Sequence, residues 1–512
     1  MKKQSLIKGS IILGMAGILA KFLGIFFRWP LIMLIGDEGI GYYQMSYPLY
    51  MFFIAVASGV PIAISKMVSE NNALGNDKAA FEIIKEAFLL MIILGVGTSL
   101  FLFFGAKPLI TLLKWEDNAY YSLMGIAFAP MAMSFMTIYR GFFQGLQNMT
   151  PSAISQLIEQ ITRIIVGVGL AILLLPRGIE YSAGGAAFGA TAGGILGGGY
   201  LFFKYRKIRK ESGVKKVNFN PEILTRLLKI SIPISLGATV GSVMGLIDSV
   251  LVPQRLLEAG FDKKGATILY AQLTGKAAVL TNIPLTLSVA LCASLVPIIA
   301  ENFILKNKRE VESKVNMSLK LSFAIGLPCF AGLFFLAQPI MQILFPGKYE
   351  GYEILKYLSI SIPFIILAQT TTAILQGIGK YILPVINLFI GCVIKIVITN
   401  TLVSMNEINI YGAVIASISA YLISSILNLI TLKTSMSVKI PFYEILVKPA
   451  FATIIMSVGV MGSYIPLVYI LNSSSLACLI SIFLGIIIYI TLIIIFGVFN
   501  YDIIRSRLNR NT

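Results

Sequence analysis

The chain has 512 residues, 57% hydrophobic and only 12% charged, with a mean hydropathy of +0.86. A soluble chain of this length carries about 25% charged residues, so the composition is that of a polytopic membrane protein. The formal charge of +18 invites a nucleic-acid reading, which the placement of the basic residues excludes.

Apolar runs of about 20 residues, broken by Gly, Pro or charge, predict α-helical spans rather than barrel strands. In chain order, fourteen are expected: near 9–35, 43–66, 82–104, 120–144, 152–175, 183–203, 230–254, 268–300, 316–338, 354–378, 382–404, 410–432, 448–470 and 476–499. The first resembles a secretory signal, but its apolar stretch runs past any plausible cleavage site and is read as an uncleaved span. On this map the tails and even-numbered loops hold 28 of the 41 Lys and Arg, Arg140 counted among them. The odd-numbered loops hold 8, and five lie inside spans. The positive-inside rule then places both termini in the cytoplasm of a multi-pass cell-membrane protein. The patch KYRKIRKESGVKK (204–216) becomes a topology signal and a contact for anionic lipid, with no nucleic-acid partner.

Several chemistries drop out. The four cysteines, Cys292, Cys329, Cys392 and Cys478, sit in apolar runs without paired spacing, so neither a disulfide framework nor a metal site is expected. The chain has no His, which removes the commonest proton relay and any Ser/His or Cys/His nucleophile. No GxxxxGK[ST] phosphate loop occurs, and the loops are too short for a catalytic domain. No enzyme and no resident cofactor are expected.

The chain is written twice. FLFFGAKPLITLL (101–113) matches LFFLAQPIMQIL (333–344), and FFQGLQNMTPSAISQLIEQITRIIVG (142–167) matches ILQGIGKYILPVINLFIGCVIKIVIT (374–399). Gln144-Gly145 pairs with Gln376-Gly377, Pro151 with Pro384 and Arg163 with Lys395; SGVPIAISK (58–66) echoes SLVPIIAEN (294–302). The offsets, 231 to 236, predict two six-helix lobes in parallel orientation, 1–203 and 230–433, joined by the basic linker 204–229. Residues 434–512, with spans 13 and 14 and a cytoplasmic tail, lie outside the repeat. Parallel lobes suit a transporter that rocks about a site between two bundles. The Gly-rich stretch SAGGAAFGATAGGILGGG (182–199) permits close helix packing, within its lobe or at a dimer face; a monomer is expected.

The five basic residues inside spans are Lys21, Arg28, Arg163, Lys276 and Lys395, set against Glu159 and Asp248. Lys21 and Arg28 are seven apart and share a helix face. Glu159 precedes Arg163 by four, the spacing of a structural ion pair on one helix. A cation in hydrocarbon costs at least about 2.5–3.5 kcal/mol and faces an interior, so an interior this basic matches an anionic substrate. A lipid-linked diphosphate suits a cationic cavity open to the bilayer, its phosphates held by charge-assisted hydrogen bonds.

The stretches KGSIILGMAGILAKFLGIFFR, GDEGIGYYQMSYPLY, GVPIAISKMVSE and YRGFFQGLQNMTPSAISQLIEQITR resemble the polysaccharide-transport branch of the multidrug/oligosaccharidyl-lipid/polysaccharide exporter superfamily, in its group of stage V sporulation protein B and lipid II flippases. The resemblance spans the whole chain. It implies two six-helix lobes, a V-shaped cavity and alternating access, moving an undecaprenyl-pyrophosphate-linked saccharide such as the peptidoglycan precursor lipid II for cell-wall or spore-cortex synthesis. It also implies a cavity arginine at Arg28, a second cation at Lys276 on span 8, and ion coupling through Asp248 and Asn387. The coupling could be to sodium, protons or membrane potential. The competing readings are a drug/cation antiporter of the same fold, which needs a dominant buried carboxylate, a flippase for another lipid-linked polysaccharide, and a non-transporting scaffold.

Overall fold

The structure, a computed structural model, describes residues 6–214, 219–436 and 439–498. The end segments 1–5 and 499–512, which bear on the cytoplasmic placement of the termini, and Lys215 and Lys216 of the basic patch lie outside the described residues. The described residues are all-α, with no strand. Their packing divides them into two compact units, Met1–Ala271 and Gln272–Thr512.

The N-terminal unit contains α1 (Leu6–Ala57), α2 (Gly59–Ala73), α3 (Asp77–Phe104), α4 (Ala106–Leu113), α5 (Ala119–Ile126), α6 (Ala129–Gly145), α7 (Met149–Leu174), α8 (Ile179–Glu211), α9 (Pro221–Glu258) and α10 (Lys263–Ala271). The C-terminal unit opens with a π-helical turn, Gln272–Ala277. It continues through α11 (Ala278–Ile304), α12 (Lys308–Phe335), α13 (Ala337–Leu344), α14 (Tyr352–Leu358), α15 (Ser361–Gly377), α16 (Ile382–Leu402), α17 (Ile410–Met436), α18 (Lys448–Leu471) and α19 (Ser474–Ile495).

The repeat is visible in the elements themselves. α3 and α12 are both 28 residues, each capped by an asparagine whose side chain accepts a first-turn N–H: Asn76 from Ala79 and Asn307 from Glu310. Each ends at a one-residue break followed by an eight-residue helix with proline, α4 and α13. α6 and α15 are both 17 residues. The offsets are 231 (77 to 308), 231 (106 to 337), 232 (129 to 361), 233 (149 to 382) and 231 (179 to 410).

The structure departs from the sequence reading in several places. Among the described residues, eleven helices are long and apolar enough to cross a bilayer, or twelve if the bent pair α14–α15 counts as one span, against fourteen expected. The loop expected between spans 1 and 2 is not a loop. Two helices meet there at a kink on Gly36, whose φ of 64° and ψ of −168° suit glycine alone, and the helical run 12–73 breaks again at Ser58. The eighth span, expected at 268–300, is split among α10, the π turn and α11 and is not among the eleven. Arg140, counted on a loop, is inside α6. Most of the expected linker 204–229 is also helical, lying in the end of α8 and the start of α9. Arg226 binds Glu70 of α2 at 2.6 Å, and the Asn220 N–H donates to buried Glu86 of α3 at 2.9 Å. The packing boundary therefore falls after α10 rather than in the linker.

A glycine ladder on α8 fixes its neighbour α7. Cβ atoms added at Gly189, Gly193 and Gly197 would lie 2.8, 2.6 and 3.0 Å from the carbonyl oxygens of Arg163, Glu159 and Ser155. The small-residue stretch is thus used inside its own unit, backbone against backbone. In the C-terminal unit α18 and α19 lie on α12, Tyr489 of α19 donating to the Ala324 carbonyl at 2.9 Å. Because Gly193 has a carbonyl where a methyl would go, Gly193→Ala is expected to destabilise by about 1–3 kcal/mol. Gly199→Ala, with nothing within 4 Å, should be close to neutral. Thermal unfolding of the two purified variants in detergent checks this.

Candidate functional site

α1 carries Phe27 and Arg28 before its break, and Tyr43, Tyr47 and Tyr50 after it at helical spacings of four and three. α7 packs along α1 and brings in Arg163. The Arg163 Nη2 donates to the Tyr43 hydroxyl at 2.6 Å, and its guanidinium lies 5.3 Å from the Phe27 ring centre and 5.1 Å from that of Tyr47. Arg28 approaches the same Tyr47 ring at 6.0 Å. Tyr43 and Tyr47 stack at 5.6 Å, and Tyr47 meets Tyr50 at 5.8 Å. Gly167, one turn beyond Arg163, lets the Phe27 ring in, for a Cβ there would sit 2.7 Å from it.

Among the described residues no carboxylate lies within ion-pair distance of Arg163, and its buried Nε has no hydrogen-bond partner. Each cation–π contact contributes about 0.5–2 kcal/mol. These contacts hold the guanidinium without neutralising it, so the cluster can meet an anion with a preorganised planar fork.

The expected Glu159–Arg163 ion pair does not form. Glu159, nearly buried, accepts from Arg140 Nη2 at 2.9 Å, and Arg140 Nε donates to Ser155 at 2.9 Å. The spacing of four permits a pair on one helix, but a cation on neighbouring α6 is better placed, and the aromatic faces of α1 take Arg163. Arg140 is the residue that sequence reasoning missed by reading it as a loop cation. The tyrosines were missed too, although their spacing marks one face of α1.

The remaining expected site residues each have their own surroundings. Lys21 is exposed on α1. Lys276 was expected to face an open interior, but it is fully buried in the π turn. Its ammonium donates to the Lys348 and Glu350 carbonyls at 2.7 and 3.3 Å, with the Glu350 carboxylate at 3.8 Å. Lys395 is buried on α16. Asn387 of the same helix donates to Asn428 at 2.8 Å and to Thr431 at 3.2 Å, and Asn428 donates to Thr371 and Thr372. Asp248, on α9, belongs to the N-terminal unit while Asn387 belongs to the C-terminal one. The four cysteines are free.

The family described as "Polysaccharide biosynthesis protein" matches residues 6–303, more than half of the chain. The chain belongs to this family. A second pattern, MatE, matches residues 263–401. The chain is 30% identical over 454 residues to stage V sporulation protein B of Bacillus subtilis (strain 168), covering 87% of this chain and 86% of that one. It is 27% identical over 490 residues to lipid II flippase MurJ of the same organism, covering 91% and 88%. Among solved structures, lipid II flippase MurJ in an inward closed conformation superposes with a TM-score of 0.73 at 19% identity, covering 95% of this chain and 99% of that one. An inward-facing multidrug resistance MATE family transporter superposes at 0.70 and 16% identity, covering 81% and 94%. These superpositions establish a polytopic helical transporter fold. The family's chain is a multi-pass membrane protein among transporters, not enzymes.

The Arg140–Glu159 pair yields a stability prediction. Arg140→Ala leaves a nearly buried carboxylate without its cation and should cost about 3–5 kcal/mol. Arg140→Leu combined with Glu159→Leu should recover most of that loss in thermal unfolding of the purified protein.

Proposed function

We propose that this chain is a flippase for an undecaprenyl-pyrophosphate-linked saccharide, specifically the peptidoglycan precursor lipid II, in cell-wall or spore-cortex synthesis. Family membership supports the lipid-linked polysaccharide class. The observation that carries the reading to this site is Arg163, a guanidinium on a membrane helix held by ring faces and a phenol, with an unpartnered Nε and no carboxylate counterion among the described residues. A phosphate oxygen arriving there replaces the Tyr43 hydroxyl as acceptor and supplies the missing negative charge. Arg28 reaches the same anion across Tyr47, with Lys21 further along α1. Lys276, whose ammonium is already satisfied by backbone carbonyls, is left out of this contact set.

In this reading the protein works by alternating access as a monomer, with both termini in the cytoplasm, as the excess of basic residues on that side supports. A sodium or proton gradient or the membrane potential drives it, with Asp248 and Asn387 as the ion-coupling residues.

The test is reconstitution of the purified protein in liposomes containing lipid II, reading the appearance of its headgroup on the far leaflet. A charge-assisted hydrogen bond contributes about 1.5–3 kcal/mol. Arg163→Ala and Arg28→Ala should therefore each slow movement roughly 10- to 100-fold while the proteins remain folded. Full activity in both variants removes these residues from the path. If wild type moves another lipid-linked saccharide and not lipid II, the substrate assignment falls and the class stands.

A further inference from the structure

The Tyr43 hydroxyl accepts a hydrogen from Arg163 Nη2 at 2.6 Å, and a phenol also has one hydrogen of its own to donate. Among the described residues no group accepts that hydrogen. Tyr43 is only 2% exposed, and an idle donor in apolar surroundings costs free energy. The Arg163 Nε–H is buried and without a partner as well. Two unused donors on adjoining side chains therefore accompany a guanidinium that no described carboxylate neutralises.

Of the two side chains, the phenol is the fixed one. Its ring stacks on Tyr47 at 5.6 Å and meets Phe27 at 5.9 Å. The backbone beneath it is held by α10. A Cβ at Gly41 would lie 2.4 Å from the Thr267 side chain, and Tyr270 donates to the Gln44 carbonyl at 3.2 Å. Arg163 is half-buried, on a long stem of rotatable bonds. An arriving oxyanion therefore draws the guanidinium off the phenol and leaves the ring in its stack. One anion oxygen can then accept from both Arg163 Nη2 and the Tyr43 hydroxyl. The phenol gives up an incoming hydrogen bond and uses its own hydrogen instead, so the exchange orphans neither group.

We propose that Tyr43 is a second ligand-binding group of this site, an acceptor from Arg163 as in this structure and a donor to a phosphate oxygen once the anion is bound. The ligand it selects is an oxyanion with an oxygen able to accept two hydrogen bonds at once. A cationic ligand offers no such oxygen and leaves the phenol with Arg163. The identity of the anion as a diphosphate rests on the flippase reading. A phenol that only occupied Arg163 and competed with the ligand would act with the opposite sign, since its removal would tighten binding.

The test adds inorganic pyrophosphate to the purified full-length protein in lipid nanodiscs. Calorimetry reads its affinity, and infrared difference spectroscopy reads the phenol C–O stretch, which differs between an accepting and a donating hydroxyl. Pyrophosphate should bind the parent protein, and Tyr43→Phe should bind it about 10-fold more weakly, the loss of one hydrogen bond to a charged group. Binding should also shift a phenol C–O band in the parent. The chain has 22 tyrosines, so loss of that shift in Tyr43→Phe assigns it. Equal or tighter binding by Tyr43→Phe overturns the proposal, as does weaker binding without a band shift in the parent, the mark of a structural role. A parent that binds no pyrophosphate overturns it too. Should Tyr43→Phe fail to fold, a band shift that persists in Arg163→Ala overturns it equally. Failure here, with lipid II still moved in liposomes, removes Tyr43 and leaves the flippase reading. A Tyr43-dependent response to pyrophosphate without lipid II movement does the reverse.

Discussion

The Arg163 guanidinium sets the terms for the N-terminal unit. Placing it in hydrocarbon costs at least about 2.5–3.5 kcal/mol, and no carboxylate among the described residues offsets that cost. What holds it is a set of ring faces, Phe27 and Tyr47, and one phenol oxygen, Tyr43. This requires α7 to turn one side chain toward α1 and α8 to turn nothing bulky toward α7. The ladder of Gly189, Gly193 and Gly197 provides the second condition, meeting the backbone of Arg163, Glu159 and Ser155 directly. Gly167 provides the room in which Phe27 reaches the charge. The apolar stretch, the tyrosine face and the glycine run are thus one arrangement.

The two halves repeat a skeleton and not a chemistry. α3 and α12 share length and cap, α6 and α15 share length, and the short helices between them start 231 residues apart. Arg163 and its counterpart Lys395 occupy matching places on α7 and α16, but their surroundings differ. Arg163 is half-buried among aromatic rings, whereas Lys395 is buried on a helix whose Asn387 joins an amide and hydroxyl network with Asn428, Thr371, Thr372 and Thr431. A duplicated frame has been given a cation-and-ring face in one copy and a neutral polar cluster in the other.

How much of this could be read from the sequence depends on whether the signal is local. The helices were legible because a bilayer leaves the backbone no other way to satisfy its hydrogen bonds, and the repeat was legible because Pro and Gly mark the same breaks twice. The span count was least legible where a break costs a single residue, as at Gly36, and where a π turn interrupts the segment 268–300. Partners of buried charges were not legible. The Glu159–Arg163 spacing is correct for a pair, yet Arg140 arrives from α6 and takes the carboxylate. Lys276 reads as an interior cation, yet carbonyls more than 70 residues away in sequence engage it.

This distinction bears on what the site can bind. Counting five basic residues inside spans argues for an anion only if they are unneutralised, and the structure sorts them. Lys276 is occupied by carbonyls, and the interior carboxylate Glu159 is occupied by Arg140. An antiporter for cationic drugs needs a carboxylate available to its ligand. To use Glu159, a drug would have to displace Arg140 from a nearly buried ion pair, and breaking such a pair costs about 3–5 kcal/mol. That is a penalty of more than a hundredfold before any contact is made. Arg163, by contrast, has only a neutral phenol, Tyr43, to give up: its charge is oriented, half-buried and lacks a carboxylate among the described residues. The argument for an anion at the N-terminal unit therefore rests on which charges lack a carboxylate rather than on how many there are.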